Sequence, residues 1–207
     1  IKRGLTKLSN LLATIPRFDY SQHEPGFEIA ELPAQNVLLV TTAAKRANDD
    51  IALAMTNQRK WIDQVMEKNE LEAAGPMRIV TNEFGSDTYA FDVVLPDPIP
   101  GKGEVEGPVV YAQLPAMRVA KSSYVGPSPG LARIRDLVRA WSLVRGHEPT
   151  DRPFEEYLGE IKDMLSEDAQ FNVYWPVQVP GADSPAPRVI APLPEDEADA
   201  PAPAADE

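Results

Sequence analysis

Glu31-Leu32-Pro33-Ala34, followed by an apolar run, returns later in the chain as Gln113-Leu114-Pro115-Ala116. Trp61 returns as Trp141, and Val94-Leu95-Pro96 returns as Tyr174-Trp175-Pro176. Leu32 and Leu114 are 82 residues apart, Trp61 and Trp141 are 80 apart, and Pro96 and Pro176 are 80 apart. Three landmarks of different chemistry that keep one order and nearly one spacing mark a duplicated unit, whereas a single Leu-Pro-Ala match would mean little. Two packed copies of one unit have a seam between them, and such seams are a common place for a ligand cleft.

Working outward from the landmarks, Phe27 to Val40 alternates and is broken by Pro33, as for two short strands meeting at a bend. Asn48-Asp49-Asp50 offers capping side chains to a helix whose stripe is Ile51, Met55, Ile62 and Met66, with Trp61 beside it. Gly75-Pro76 ends that helical part, and Met77 to Val80 with Tyr89 to Leu95 reads as a hairpin around Gly85-Ser86-Asp87. The second half repeats the order. Strands are expected in Val109 to Val119, a helix from about Pro129 to Val144 with Leu131, Ile134, Leu137, Val138 and Trp141 as its apolar face, and strands at Phe154 to Leu158 and Phe171 to Val177. Pro129 at the start and Gly146 at the end suit that helix. The fold class expected is α+β, with antiparallel sheets joined by hairpins.

The chain has 207 residues, 43% of them hydrophobic, enough for a substantial core. Its net charge of −12 is uneven. From Gln178 onward there are seven acids against Arg188 alone, together with seven prolines, so residues 179–207 are expected to be a disordered, self-repelling tail. No run of Lys or Arg tracks a phosphate backbone, which argues against direct nucleic-acid binding. Zero cysteines remove thiolate nucleophiles and thiolate metal sites. His23 and His147 are too isolated for a metal cluster or a nucleophile-base pair, and neither Gly101-Lys102-Gly103 nor Gly126-Pro127-Ser128-Pro129-Gly130 has the order of a phosphate cradle. No metal, cofactor or nucleotide is expected. No stretch is apolar enough to span a bilayer, so no membrane contact is expected from these residues, and the cytoplasm is the favoured location.

Tyr124-Val125-Gly126-Pro127, Leu131, Trp141, Gly146, Glu148-Pro149, Pro153-Phe154-Glu155-Glu156-Tyr157-Leu158 and Tyr174-Trp175-Pro176-Val177 together resemble the GyrI-like, or AraC-type effector-binding, domain. Asp50-Ile51, Gly75-Pro76 and Phe91-Asp92-Val93-Val94-Leu95-Pro96 extend the likeness to the first half, over residues 27–178 with repeats at 27–96 and 109–177. The resemblance implies two strand-helix-strand-strand repeats, helices on one face, and a small-molecule cleft on the pseudo-twofold axis. Lys2-Arg3-Gly4-Leu5-Thr6-Lys7-Leu8, in an amphipathic helix within residues 1–26, is similar to the closing helix of an SRPBCC domain. In some bacterial proteins such a domain directly precedes a GyrI-like domain, often behind a membrane anchor. That would make this chain the C-terminal part of a longer protein; a helix packing on its own domain is the alternative.

Glu155 and Tyr157 lie two apart on a predicted strand and so share a face. The resemblance implies that acidic and aromatic residues of this strand line the cleft, where a carboxylate attracts a cation and rings stack on it; a solvated Glu155 is the alternative. Trp61 and Trp141 are candidate facing walls of the cleft or core residues, and Phe91, Tyr174 and their neighbours Tyr89 and Phe171 are open between the same roles. Asn172 stands where many relatives carry Glu, and an amide is neither a general acid nor a general base.

The reading that follows is a small-molecule binding module for an apolar or weakly cationic organic ligand. A hydrolase of a strained or electrophilic small molecule is the weaker enzyme alternative, with Glu155 as its acid. A protein-interaction module of the gyrase-inhibitor type is the third, since an acidic surface engages basic partners. Removal of residues 181–207 is expected to shift the thermal midpoint by no more than about 2 °C, because a segment without buried apolar area adds little stability; a larger fall in a calorimetric scan would show that Val189, Ile190 or Leu193 docks on the domain.

Overall fold

The computed structural model describes residues 26–96 and 105–179. The expected N-terminal helix, the linker with His23, the Gly101-Lys102-Gly103 loop and the acidic tail from Pro180 onward lie outside the described residues. The elements run β1 Phe27–Leu32, β2 Gln35–Lys45, α1 Asn48–Lys68, β3 Met77–Phe84, β4 Thr88–Pro96, β5 Val110–Leu114, β6 Met117–Val125, α2 Leu131–Val144, β7 Phe154–Tyr157 and β8 Gln170–Pro176. Pro33 and Pro115 occupy the bends between β1 and β2 and between β5 and β6, where a missing N–H costs no ladder bond.

All eight strands form one antiparallel sheet in the order β1-β6-β8-β7-β3-β4-β2-β5. Read from either end, the order meets matching strands of the two repeats. Each repeat also lends its first strand to the other: β1 pairs with β6, and β5 pairs with β2. The registers agree residue by residue, since Val37 faces Pro96 in the first half and Val119 faces Pro176 in the second. Ile79 lies opposite Val93, and Glu155 lies opposite Val173, the residue 80 beyond Val93. Ile79 and Glu155 are therefore equivalent positions, and they also face each other across the β3–β7 ladder. The pseudo-twofold axis passes between them.

Both helices pack on one face of the sheet. Their buried residues Met55, Ile62, Val65, Leu131, Ile134, Leu137 and Val138 join Leu38, Val40, Ile79, Phe91, Val93, Leu95, Phe171 and Val173 in a single core. The opposite face carries two smaller apolar clusters, one around Val37, Leu39, Val94 and Ala112 and one around Val119, Phe154 and Tyr174. Phe154 to Tyr157 is buried at every position because β7 is central and covered on both faces.

Three local expectations change. β2 continues to Lys45 and β6 to Val125, beyond the apolar runs that suggested shorter strands, because their outer ends still pair with β4 and β8. Ala47 is the N-cap of α1 and no side chain caps it; Asn48 to Asp50 form the first turn instead, where Asp49 and Asp50 sit favourably at the positive end of the helix. α2 begins at Leu131, after a 3-10 turn over Ser128–Gly130 that contains Pro129. Gly146 follows the last turn at φ 78°, the left-handed conformation that glycine adopts without Cβ strain.

Phe91 is completely buried beneath both repeats. Phe91→Ala is expected to lower unfolding free energy by about 3–5 kcal/mol in urea denaturation, whereas Val144→Ala, at a position 61% exposed, is expected to change it by no more than about 0.5 kcal/mol.

Candidate functional site

On the helix-covered face, directly over the axis, the first turns of α1 and α2 leave a cleft of about 230 Å³. Its walls come in matched pairs: Ile51 and Met55 from α1, and Leu131 and Arg135 from α2, each pair 80 residues apart. Phe84 and Tyr89 from the β3–β4 hairpin, Glu155 and Tyr157 from β7, and Met164 complete it. Chemically the two halves differ at the centre. Where the first repeat has Met55 and Ile79, the second has Arg135 and Glu155.

Glu155 is 1% exposed, and its Oε1 lies 3.0 Å from Arg135 Nε. The two atoms are in charge contact, yet neither makes a well-directed hydrogen bond. Arg135 also donates from Nη1 to Thr81 Oγ1 at 2.8 Å, and Thr81 shares a 3.0 Å hydrogen bond with the Tyr89 hydroxyl. Burial pushes the Glu155 carboxyl up to about 7, against the opposing pull of Arg135. For Arg135, burial acts to lower the guanidinium, but the charge of Glu155, helped by Tyr89 and Tyr157, outweighs it and leaves the group above its ordinary value. The phenols follow the same logic: burial and then Glu155 push Tyr89 up to about 12 and Tyr157 well above its usual range. At the mouth, the Arg46 guanidinium lies 3.9 Å from the centre of the Phe84 ring, and that of Arg135 lies 5.5 Å from it.

The alternation of β-strands sorts the residues expected in the cleft. Glu155 and Tyr157 line it together. Asn172 and Tyr174 are not brought to them: β7 pairs Glu155 with Val173 and Tyr157 with Phe171, so the even-numbered residues of β8 point to the opposite face. There Tyr174 donates to Glu156 Oε2 at 2.6 Å, and Asn172 donates to the same oxygen at 3.1 Å. Phe91 lies in the core, its ring 4.7 Å from that of Tyr89. Trp141 stacks on Phe27 at 5.6 Å. Trp61 is 41% exposed and lies over Gly107, where φ is 61° and an added Cβ would come within 2.8 Å of the indole. Neither tryptophan lines the cleft. Arg135, Arg46 and Phe84 were not singled out from the sequence; the repeat offset that relates Arg135 to Met55 carries the signal for the first of them.

A larger hollow of about 540 Å³ lies between α1 and the segment after β7, with Tyr157 as the partition between the two cavities. Ion pairs run along each of its walls, Arg59 with Asp63 at 2.6 Å on α1 and Lys162 with Glu160 at 2.8 Å on the segment after β7. Of the two cavities, only the smaller is lined by buried groups without a directed hydrogen bond, Arg135 Nε and Glu155 Oε1, and it is the chemically distinctive one. Among the described residues no group of three His, Asp or Glu side chains is placed to hold a metal, and no described helix is long and apolar enough to cross a membrane.

No protein-family model matches the chain, and no curated protein matches it in sequence. Solved structures do share its fold. The EcmrR C-terminal domain superposes with a TM-score of 0.64 at 18% identity, over 75% of this chain and 99% of that one. EcmrR in a DNA-bound transcription complex gives 0.65 at 17% identity, over 86% and 68%. A Listeria innocua protein described as a hydrolase gives 0.54 at 13% identity, over 77% and 95%. At these identities the likeness is one of architecture, consistent with the GyrI-like fold.

Because Glu155 has a raised carboxyl in the folded protein, the native state binds a proton that the unfolded chain has already released between about pH 4.5 and about 7. The stability contributed by protonated Glu155 therefore falls as pH rises through that window and levels off above it. In a carboxyl ¹³C titration the Glu155 resonance is expected to move with a midpoint near 7. The fall in thermal midpoint over the same window is expected to be smaller in Glu155→Gln; a Glu155 midpoint in the ordinary carboxylate range would contradict the burial argument.

Proposed function

We propose that the chain is a small-molecule binding module, which senses or sequesters a planar organic ligand held in the cleft on the pseudo-twofold axis. The observation that carries this reading is the cleft's construction. A buried carboxylate sits on the β3–β7 ladder at the pseudo-twofold axis, beside the Tyr157 phenol and an aromatic wall of Phe84 and Tyr89. A core position filled for packing alone takes an apolar side chain, as the equivalent Ile79 does. A carboxylate at that depth is costly unless something compensates it, which favours a functional role. The volume of about 230 Å³ lies just under the roughly 300–1,000 Å³ of pockets for drug-sized ligands, so one or two fused rings suit it.

The fold shared with the EcmrR C-terminal domain and the resemblance of the sequence to effector-binding domains support the same reading. The name of the Listeria innocua neighbour speaks for hydrolysis as a second possibility. In this cleft it is the weaker one: among the described residues Glu155 is the only carboxylate lining the cavity, and it faces a guanidinium rather than a position from which it would activate water.

Isothermal titration with 2-naphthamide is the direct test. Binding with a dissociation constant in the micromolar range is expected, together with a loss of about tenfold or more in Ala132→Trp, which fills the exposed rim of the cleft without disturbing the core. Undiminished affinity in that variant would place the site elsewhere. Tryptophan emission is expected to stay nearly constant on binding, because none of the three tryptophans lines the cleft.

A further inference from the structure

We infer that Arg135 is an internal counter-cation which fills the charge subsite of the cleft and makes it selective for uncharged aromatic ligands over cations. The inference rests on the proposed binding site and assigns its ligand class.

Three observations converge on it. First, a buried carboxylate in an apolar wall is by itself a receptor for a ligand cation, and the charge that acts on Glu155 comes from Arg135 of the protein. The guanidinium lies within the cleft, with Nε at 3.0 Å from Glu155 Oε1 and Nη1 anchored on Thr81 at 2.8 Å. A ligand cation has to displace this group or share the carboxylate with it. Second, the arginine is an addition to the repeat rather than part of its common plan. Its equivalent in α1 is Met55, just as the equivalent of Glu155 is Ile79, so the second repeat alone carries both partners of the pair. Third, the mouth is cationic as well. Arg46 donates to the Gly85 carbonyl at 2.8 Å, which holds its guanidinium against Phe84, and apart from Arg46 and Arg135 the side chains that line the cleft with Glu155, among them Tyr89, Tyr157, Met55 and Met164, are uncharged. A cation entering past Arg46 therefore meets Arg135 before it meets a free acid.

An uncharged ring meets none of this opposition. It packs against the apolar and aromatic lining, among it Ile51, Met55, Phe84 and Met164. The Tyr157 hydroxyl, which makes no hydrogen bond to the described residues, is left to donate to a ligand acceptor.

The full chain is titrated calorimetrically with three probes of one shape: 2-naphthamide, 2-naphthylmethylammonium and 2-naphthoate. The wild type is expected to bind the amide at least about tenfold more tightly than the ammonium ion and more tightly than the carboxylate. Arg135→Met, which restores the residue found in the first repeat, is expected to reverse the first preference by exposing Glu155 to the ligand. Arg135→Lys keeps the charge and is expected to keep the wild-type order. Where Arg135→Met does not fold, Arg135→Gln, which removes the charge but keeps an N–H donor for Thr81, is expected to reverse the same preference and decides in its place. A wild type that binds the ammonium or the carboxylate as tightly as the amide overturns the inference while leaving the binding site intact. A folded Arg135→Met with the wild-type order overturns it equally. Failure of all three probes to bind any of the proteins removes the binding-module reading, and this inference with it.

Discussion

The short antiparallel ladder between β3 and β7 is the constraint on which the rest of the molecule depends. Four residue pairs, Met77 with Tyr157 through Val80 with Phe154, join the two halves of the sheet into one. Without that ladder each repeat would have an open strand edge at its centre and an apolar helix face with half a floor. Because equivalent residues meet across it, the ladder also fixes the axis, and with it the point where the two helices diverge and a cleft opens. Fold and site are thus set by the same pairing.

Interior strands such as β7 and β4 offer little solvated surface to their buried acids, and the molecule answers with arginines. Glu155 receives Arg135 on the helix face at 3.0 Å, Glu156 receives Arg78 on the opposite face at 3.0 Å, and Asp92 receives Arg152 at 3.6 Å. The three pairs are not alike. Glu156 is also held by Tyr174, Asn172 and the Arg78 Nε, and Asp92 accepts from Thr41 at 2.7 Å and from Asn82 at 2.6 Å. Those two acids have directed partners and act as internal braces. Glu155 has charge compensation without a directed hydrogen bond, and a cavity beside it. A buried pair that is neutralised but not fully bonded retains the capacity to engage a third group.

The sequence made the architecture legible because the repeat is written in residues that structure needs for physical reasons. Pro33 and Pro115 turn the chain at bends, and Pro96 and Pro176 end the last strand of each half. Alternation told which residues of one strand share a face, which is why Glu155 and Tyr157 could be placed together. It did not fix the register between strands. Tyr174 and Asn172 were grouped with Glu155 for want of the β7–β8 pairing, which turns them to the far side. Trp61 illustrates a different limit: helical spacing put it beside an apolar stripe, and only its contact with Gly107 shows that it covers the edge of the core rather than the cleft. Arg135 was hidden because a charged residue on a helix is ordinarily solvated. The structure turns it inward, and the repeat offset that pairs it with Met55 is the sequence signal that pointed there.

The central claim is that Arg135 and Glu155 act as one compensated unit inside the cleft, and a double-mutant cycle on stability tests it most directly. Urea denaturation at about pH 8, where Glu155 is ionised in the native protein, compares wild type, Glu155→Gln, Arg135→Met and the double variant. Each single substitution leaves a buried group without its partner and is expected to cost more than the double substitution, with a coupling of about 2 kcal/mol or more. Additive losses, with the double variant as unstable as the sum of the singles, would contradict the account.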